Sequence, residues 1–137
     1  MPRMARKDLI TQYFHVMSQG INKEFIFETD QLKGKYKNLL RKYIRESDAK
    51  ILAYCLMGNH VHILFQAVNP YDITRVMQMV NTNFARYYNY INGRVGIVFR
   101  NRYFTQPIMS REQLYNCLVY IHNNPVKARN SAKCKRL

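Results

Sequence analysis

The chain has 137 residues, 47% hydrophobic and 13% aromatic, which excludes a disordered polymer and predicts a single domain over 1–137 with a core of its own. Lys plus Arg is 22 and Asp plus Glu is 8, a formal charge of +14, against the roughly 2 to 8 usual for a domain this size; a polyanion, above all nucleic acid, is the expected partner. No apolar run approaches the roughly 18 residues of a membrane span, and the basic start "MPRMARKDLI" has no apolar core or cleavage site behind it, so a cytoplasmic protein without a membrane partner is expected.

Residues 10 to 17, "ITQYFHVM", alternate and carry aromatics, which predicts a strand. "SQGINKEFIFETD" follows as a turn and short connection. Over residues 30 to 48, Leu32, Tyr36, Leu39, Leu40 and Tyr43 fall on one stripe at helical spacing, with Asp30 as candidate N-cap and Gly34 weakening the helix by about 1 kcal/mol relative to Ala. "KILAYCLM" (50 to 57) and "HVHILFQAV" (60 to 68) are β-rich runs split by Gly-Asn, which predicts a hairpin.

After Asn69-Pro70, Ile73, Val76, Met77, Val80, Phe84 and Tyr87 recur every three or four residues, a second helix that Gly93 stops. "VGIVFRNRYFTQPIM" holds a further strand, broken by Pro107. "SREQLYNCLVYIHNNP" is a third helix, with Ser110 and Gln113 in a capping-box pattern and Pro125 ending it near Asn124. The basic tail "VKARNSAKCKRL" reads as loosely held. The order β-α-β-β-α-β-α predicts an α+β fold with helices packed on an antiparallel sheet. The three cysteines are odd in number and lack Cys-x-x-Cys spacing, against a disulfide framework and a cysteine zinc site; Cys55 and Cys117 read as small core residues.

In a strand, residues i and i+2 share a face, so His60 and His62 project side by side and Val61 turns to the core. Two neutral imidazoles on one rigid face suit a metal, but two ligands make no tight site, and a third must come from elsewhere. A pair of structural histidines is the competing reading. On the third helix Tyr120 and Asn124 stand i to i+4, neighbours on one face. A phenol can be a covalent nucleophile, and an amide oxygen is a hard ligand suited to Mg²⁺ or Mn²⁺. Against this, the chain has 11 tyrosines, and any one taken alone is more often a core residue of an amphipathic helix.

Together "AYCLMGNHVHILF", "VFRNRYF" and "YIHNNPVKA" resemble the HUH nucleases, specifically the single-tyrosine transposases of small insertion sequences and the REP-associated tyrosine transposases. The resemblance covers most of the chain, with Gly58 where that family often has proline. It implies a ferredoxin-like antiparallel sheet with helices on one face and a C-terminal catalytic helix. It implies that His60, His62 and Asn124 hold Mg²⁺ or Mn²⁺ and that Tyr120 attacks a DNA phosphate. The product would be a 5′-phosphotyrosine and a free 3′-hydroxyl, in single-stranded DNA that often lies beside a hairpin. Members complete the site within one chain or across a homodimer.

Basic residues interleaved with aromatics suit a single strand, since charges track phosphates and rings stack on bases. Arg86, Arg94, Arg100 and Arg102 are the expected phosphate contacts. The face of Lys33, Lys35, Lys37, Arg41 and Lys42 reads as solvated. His122 lies roughly 200° round the helix from Tyr120 and is expected to contact DNA or serve the fold. His15, alone on its strand, reads as structural. The competing function is a non-catalytic or domesticated single-stranded DNA or hairpin-binding protein of the same fold. A replication-initiator or relaxase-like nuclease is disfavoured by the short length and the "YIHNNP" helix.

Overall fold

The computed structural model describes residues 11–128 and 134–135, with side chains over 11–123. The first strand, β1 (Tyr13–Gln19), buries Phe14, Val16 and Ser18 and turns Tyr13, His15, Met17 and Gln19 to the other face. It runs two residues beyond the predicted end. Ser18 is accommodated because Asn81 Nδ2 donates to its Oγ at 3.0 Å, and Gln19 pairs with His60 across the sheet. A short 3-10 turn at Ile21–Lys23 leads toward α1 (Asp30–Arg45). The cap of α1 is Thr29 and not Asp30. Thr29 has extended backbone and its Oγ1 accepts from Leu32 N at 3.1 Å, while Asp30 supplies an acidic group in the first turn, where the helix dipole favours it.

The hairpin is as predicted: β2 (Lys50–Leu56) and β3 (His60–Gln66) are joined through Gly58 and Asn59, closed by Met57 N to His60 O at 2.8 Å. The chain holds this turn from outside, through Gly20 N on Asn59 O and Phe27 N on Gly58 O, both at 2.9 Å. Helix α2 (Pro70–Asn92) starts on the Asn69 side chain and ends on Gly93 in the left-handed region at φ 57°, the usual signal for a glycine stop.

Two expectations about proline are corrected. Strand β4 (Phe104–Ile108) runs through Pro107, opposite Phe14. It lies at the edge of the sheet, where a missing N–H costs no ladder bond. Helix α3 (Arg111–Ala128) likewise continues past Pro125, since proline removes one ladder bond without forbidding the next turn. Its start matches the expectation: Gln113 N donates to Ser110 Oγ at 3.1 Å, and Gln113 Oε1 reaches back to Met109 N at 2.7 Å. The tail adds β5 (Cys134–Lys135) on the outer edge of β2.

The sheet order is β4-β1-β3-β2-β5, every pair antiparallel. Its first four strands, with α1 and α2, make the ferredoxin-like arrangement of an α+β fold. The face carrying Phe14, Val16, Val61, Ile63 and Phe65 packs against Leu32, Tyr36 and Leu40 of α1 and Ile73, Met77, Val80 and Phe84 of α2. The opposite face, with Ala53, Cys55 and Leu64, packs against Cys117 and Ile121 of α3. Each core face is therefore assigned to its helices by strand alternation, and the histidine-bearing face is the one that receives α3. Among the described residues no helix is long and apolar enough to cross a membrane.

Candidate active site

His60 and His62 project from β3 onto the face opposite Val61, Ile63 and Phe65. Their rings lie 4.9 Å apart and nearly perpendicular. Tyr120 reaches the same place from α3. Cys117 and Ile121 anchor that helix in the apolar cluster, which leaves Tyr120, 47% exposed, at the edge of the contact. Its ring meets that of His62 edge-on at 5.2 Å. The two histidines and the tyrosine named from the sequence are thus brought together, within one chain.

A third histidine joins them. His15 Nε2 lies 2.9 Å from His62 Nδ1, and the His15 ring is 6.2 Å from that of Tyr120. Reading His15 as isolated treated β1 by itself. The pairing of β1 with β3 sets Met17 opposite His62 and Leu64 opposite His15, so His15 is the diagonal neighbour of His62 on the shared face. On the other side, His60 Nδ1 lies 2.6 Å from Asn59 Oδ1. Burial lowers the pKa of His15 and of His60. His62 falls to about 3, through burial first and then repulsion from His60 and His15. All three are therefore held as neutral imidazoles, the form that binds metal.

His62 Nε2 is buried without a hydrogen-bond partner among the described residues. A buried polar atom of this kind calls for an explanation, and a cation at the site supplies one. The residues present fit a divalent metal to this extent: two imidazoles on one face, each with Nδ1 engaged. Among the described residues no group of three or more His, Cys, Asp or Glu could hold a metal. Asn124 lies on α3, but its side chain falls outside the described residues.

A cleft lies beside Tyr120; His15, Gln106, Gln113 and Asn116 supply its polar side chains, and Pro107, Ile108 and Cys117 line the rest. Gln113, Asn116 and Tyr120 stand at spacings of three and four on α3, a stripe legible in the sequence that the Tyr120–Asn124 pair alone does not include. Gln106 enters because β4 sets it opposite His15.

The arginines divide. Arg100 N donates to Gln19 O at 2.8 Å, and Gln19 is the partner of His60, so Arg100 starts about two strand spacings, ~10 Å, from the histidines. Arg100 and Arg102, both exposed, line a second cleft with Met17, Gln19 and Phe104. Arg94 is instead engaged within its loop: it meets Glu24 at 3.2 Å, Asn89 Oδ1 at 2.9 Å and the Ile97 carbonyl at 2.7 Å. Arg86 is exposed on α2, across the sheet from the histidines, and His122 is exposed on α3.

Compared with known proteins, residues 9–124 match the family model described as "Transposase IS200 like". Among curated proteins no match is found. Of solved structures, the chain is similar to a REP-associated tyrosine transposase bound to a REP hairpin, with a TM-score of 0.73 and 17% identity over 93% of this chain and 74% of that one. It is also similar to a candidate transposase from Deinococcus radiodurans R1, with a TM-score of 0.59 and 16% identity over 89% of this chain and 97% of that one. At these identities the two structures establish the fold.

Proposed function

Because the chain belongs to the IS200-like transposase family, we propose that it cleaves and rejoins single-stranded DNA through a covalent link to Tyr120. The observation that carries this reading is the meeting of Tyr120 with His62 at 5.2 Å, beside a buried His62 Nε2 that has no hydrogen-bond partner among the described residues. Mg²⁺ or Mn²⁺ would be held by His60 and His62, with Asn124 as the third protein ligand, and when bound it supplies polarisation of the scissile phosphate.

The chain's own residues do the rest. Tyr120, half exposed and so within reach of both substrate and solvent, attacks the phosphorus through its phenol oxygen. The bond from phosphorus to the 3′-oxygen breaks; the phenol proton passes to solvent, and the departing oxygen gains one as a 3′-hydroxyl. The phosphate stays on Tyr120 as a 5′-phosphotyrosine. A 3′-hydroxyl can later attack that ester, rejoin a strand and return the phenol, so no nucleoside triphosphate is consumed. Gln106, Gln113 and Asn116 offer hydrogen bonds to the strand lying in the cleft, and Arg100 and Arg102 hold its phosphates. A REP hairpin is the ligand in the similar structure, and we take single-stranded DNA beside a hairpin as the substrate class here. A homodimer is compatible with this reading but not required, since one chain contains His60, His62 and Tyr120.

The test uses end-labelled single-stranded DNA pools, including hairpin-bearing strands, with Mn²⁺ or Mg²⁺, run on a denaturing protein gel. Label that travels with the protein only when metal is present, and only from strands labelled at the 3′ end, is the expected result, because a 5′-end label leaves on the fragment that ends in the free 3′-hydroxyl. Salt-sensitive binding with no adduct from any strand would favour the binding-only alternative.

A further inference from the structure

We infer that His15 is the positioning residue that makes His62 a metal ligand, by accepting a hydrogen bond from His62 Nδ1–H and so leaving the Nε2 lone pair bare. The inference rests on the two-histidine metal site proposed above and assigns a role to a residue outside it.

The argument starts from one proton. His15 Nε2 and His62 Nδ1 are 2.9 Å apart, so one of the two nitrogens donates and the other accepts. The rings are inclined by only 24° with centroids 5.1 Å apart. Two rings bonded edge to edge in nearly one plane give that separation, which is too wide for a face-to-face stack. If His15 were the donor, the neutral His62 would carry its own proton on Nε2. That N–H would be buried with no acceptor among the described residues, at a cost of about 1–3 kcal/mol, and the atom could not bind a metal. If His62 is the donor, its Nε2 carries a buried lone pair that a cation can take.

His60 shows the same solution independently. An amide oxygen only accepts, so the 2.6 Å contact with Asn59 Oδ1 puts the His60 proton on Nδ1 and its lone pair on Nε2. Both imidazoles then present the same nitrogen. Metal-bound histidines are commonly fixed in this way by an acceptor on the other ring nitrogen, usually a carboxylate or carbonyl. Here a neutral imidazole from the adjacent strand fills that place for His62. The assignment follows from the register: His15 sits diagonally across from His62, within reach of its ring and on the face that α3 closes.

The experiment has two arms on the full chain. Long-range ¹H–¹⁵N spectra of the metal-free protein report which ring nitrogen carries each proton. The expected pattern for His62 is a protonated Nδ1 and a bare Nε2; a proton on Nε2 in the wild-type protein overturns the inference while leaving the site reading intact. Calorimetric titration with Mn²⁺ is the second arm. His15→Phe, which keeps a ring but removes the acceptor, is expected to weaken Mn²⁺ binding about 10- to 100-fold. His15→Gln, whose amide oxygen can accept, is expected to recover most of that loss. Wild-type affinity in folded His15→Phe overturns the inference. If the wild-type chain binds no Mn²⁺, or binds it equally after His60→Ala, the metal-site reading falls and takes this inference with it.

Discussion

Tyr120 and His62 meet edge-on at 5.2 Å although they come from α3 and β3, far apart in the chain. The contact exists because β3 alternates: Val61 and Ile63 go to the helices α1 and α2, and His62 and Leu64 go to α3. Tyr120→Phe keeps the ring contact and removes the attacking oxygen. Its covalent DNA adduct should vanish, while hairpin affinity measured by fluorescence anisotropy stays within about twofold of wild type. An adduct of normal yield would dismiss Tyr120 as the nucleophile.

The same relationship predicts how inactive variants combine. Since one chain brings Tyr120 to its own histidines, mixing Tyr120→Phe with His60→Ala should yield no adduct. Each protein lacks a part that the other cannot lend without exchanging α3. Recovery of adduct, rising with protein concentration, would mean that α3 of one chain serves the histidines of another.

Gly34 lies inside α1, and a Cβ built there meets nothing within 4 Å. The residue therefore weakens the helix without serving a close approach among the described residues. Gly34→Ala should stabilise the protein by about 0.5–1 kcal/mol, read as a higher urea midpoint with an unchanged slope.

Tyr36 on α1 donates to Asn81 Oδ1 on α2 at 2.8 Å, and Asn81 Nδ2 donates to Ser18 on β1 at 3.0 Å. Tyr36 is fully buried, and burial raises its phenol pKa far above the ordinary value, so it acts as a neutral donor. Tyr36→Phe removes that donor within a closed core and should cost about 1–3 kcal/mol in chemical denaturation. Combined with Asn81→Ala the cost should be less than the sum of the two single changes, because both break one network.

What the sequence could reveal followed periodicity. The stripes of α1 and α2 identify their buried residues because a helix face is a local property, and the i, i+2 rule puts His60 and His62 together because they share a strand. His15 and Gln106 needed the register of β1 against β3 and β4, which no single strand contains. In the sequence Asn59 reads as a turn residue, and only the folded turn brings its side chain onto His60. Prolines misled for a related reason. Pro107 reads as a strand breaker until β4 is known to be at an edge, and Pro125 reads as a stop although α3 carries on. Arg94 matched a basic, aromatic stretch, yet its partner Glu24 lies 70 residues away.

That last contrast separates the arginines by experiment. Arg100 and Arg102 are exposed beside the strand that carries the histidines' partners, whereas the Arg94 guanidinium is engaged by Glu24, Asn89 and Ile97. Each phosphate contact with a single strand contributes about 0.7 to the slope of log affinity against log salt. Arg100→Gln and Arg102→Gln together should lower that slope by roughly 1.4 and weaken binding at low salt, with little change in stability. Arg94→Gln should do the reverse, leaving the slope near wild type and costing about 1 kcal/mol of stability, since its ion pair is partly exposed. A slope that fell with Arg94→Gln and not with the other two would move the DNA path from the β1–β4 edge to the loop after α2.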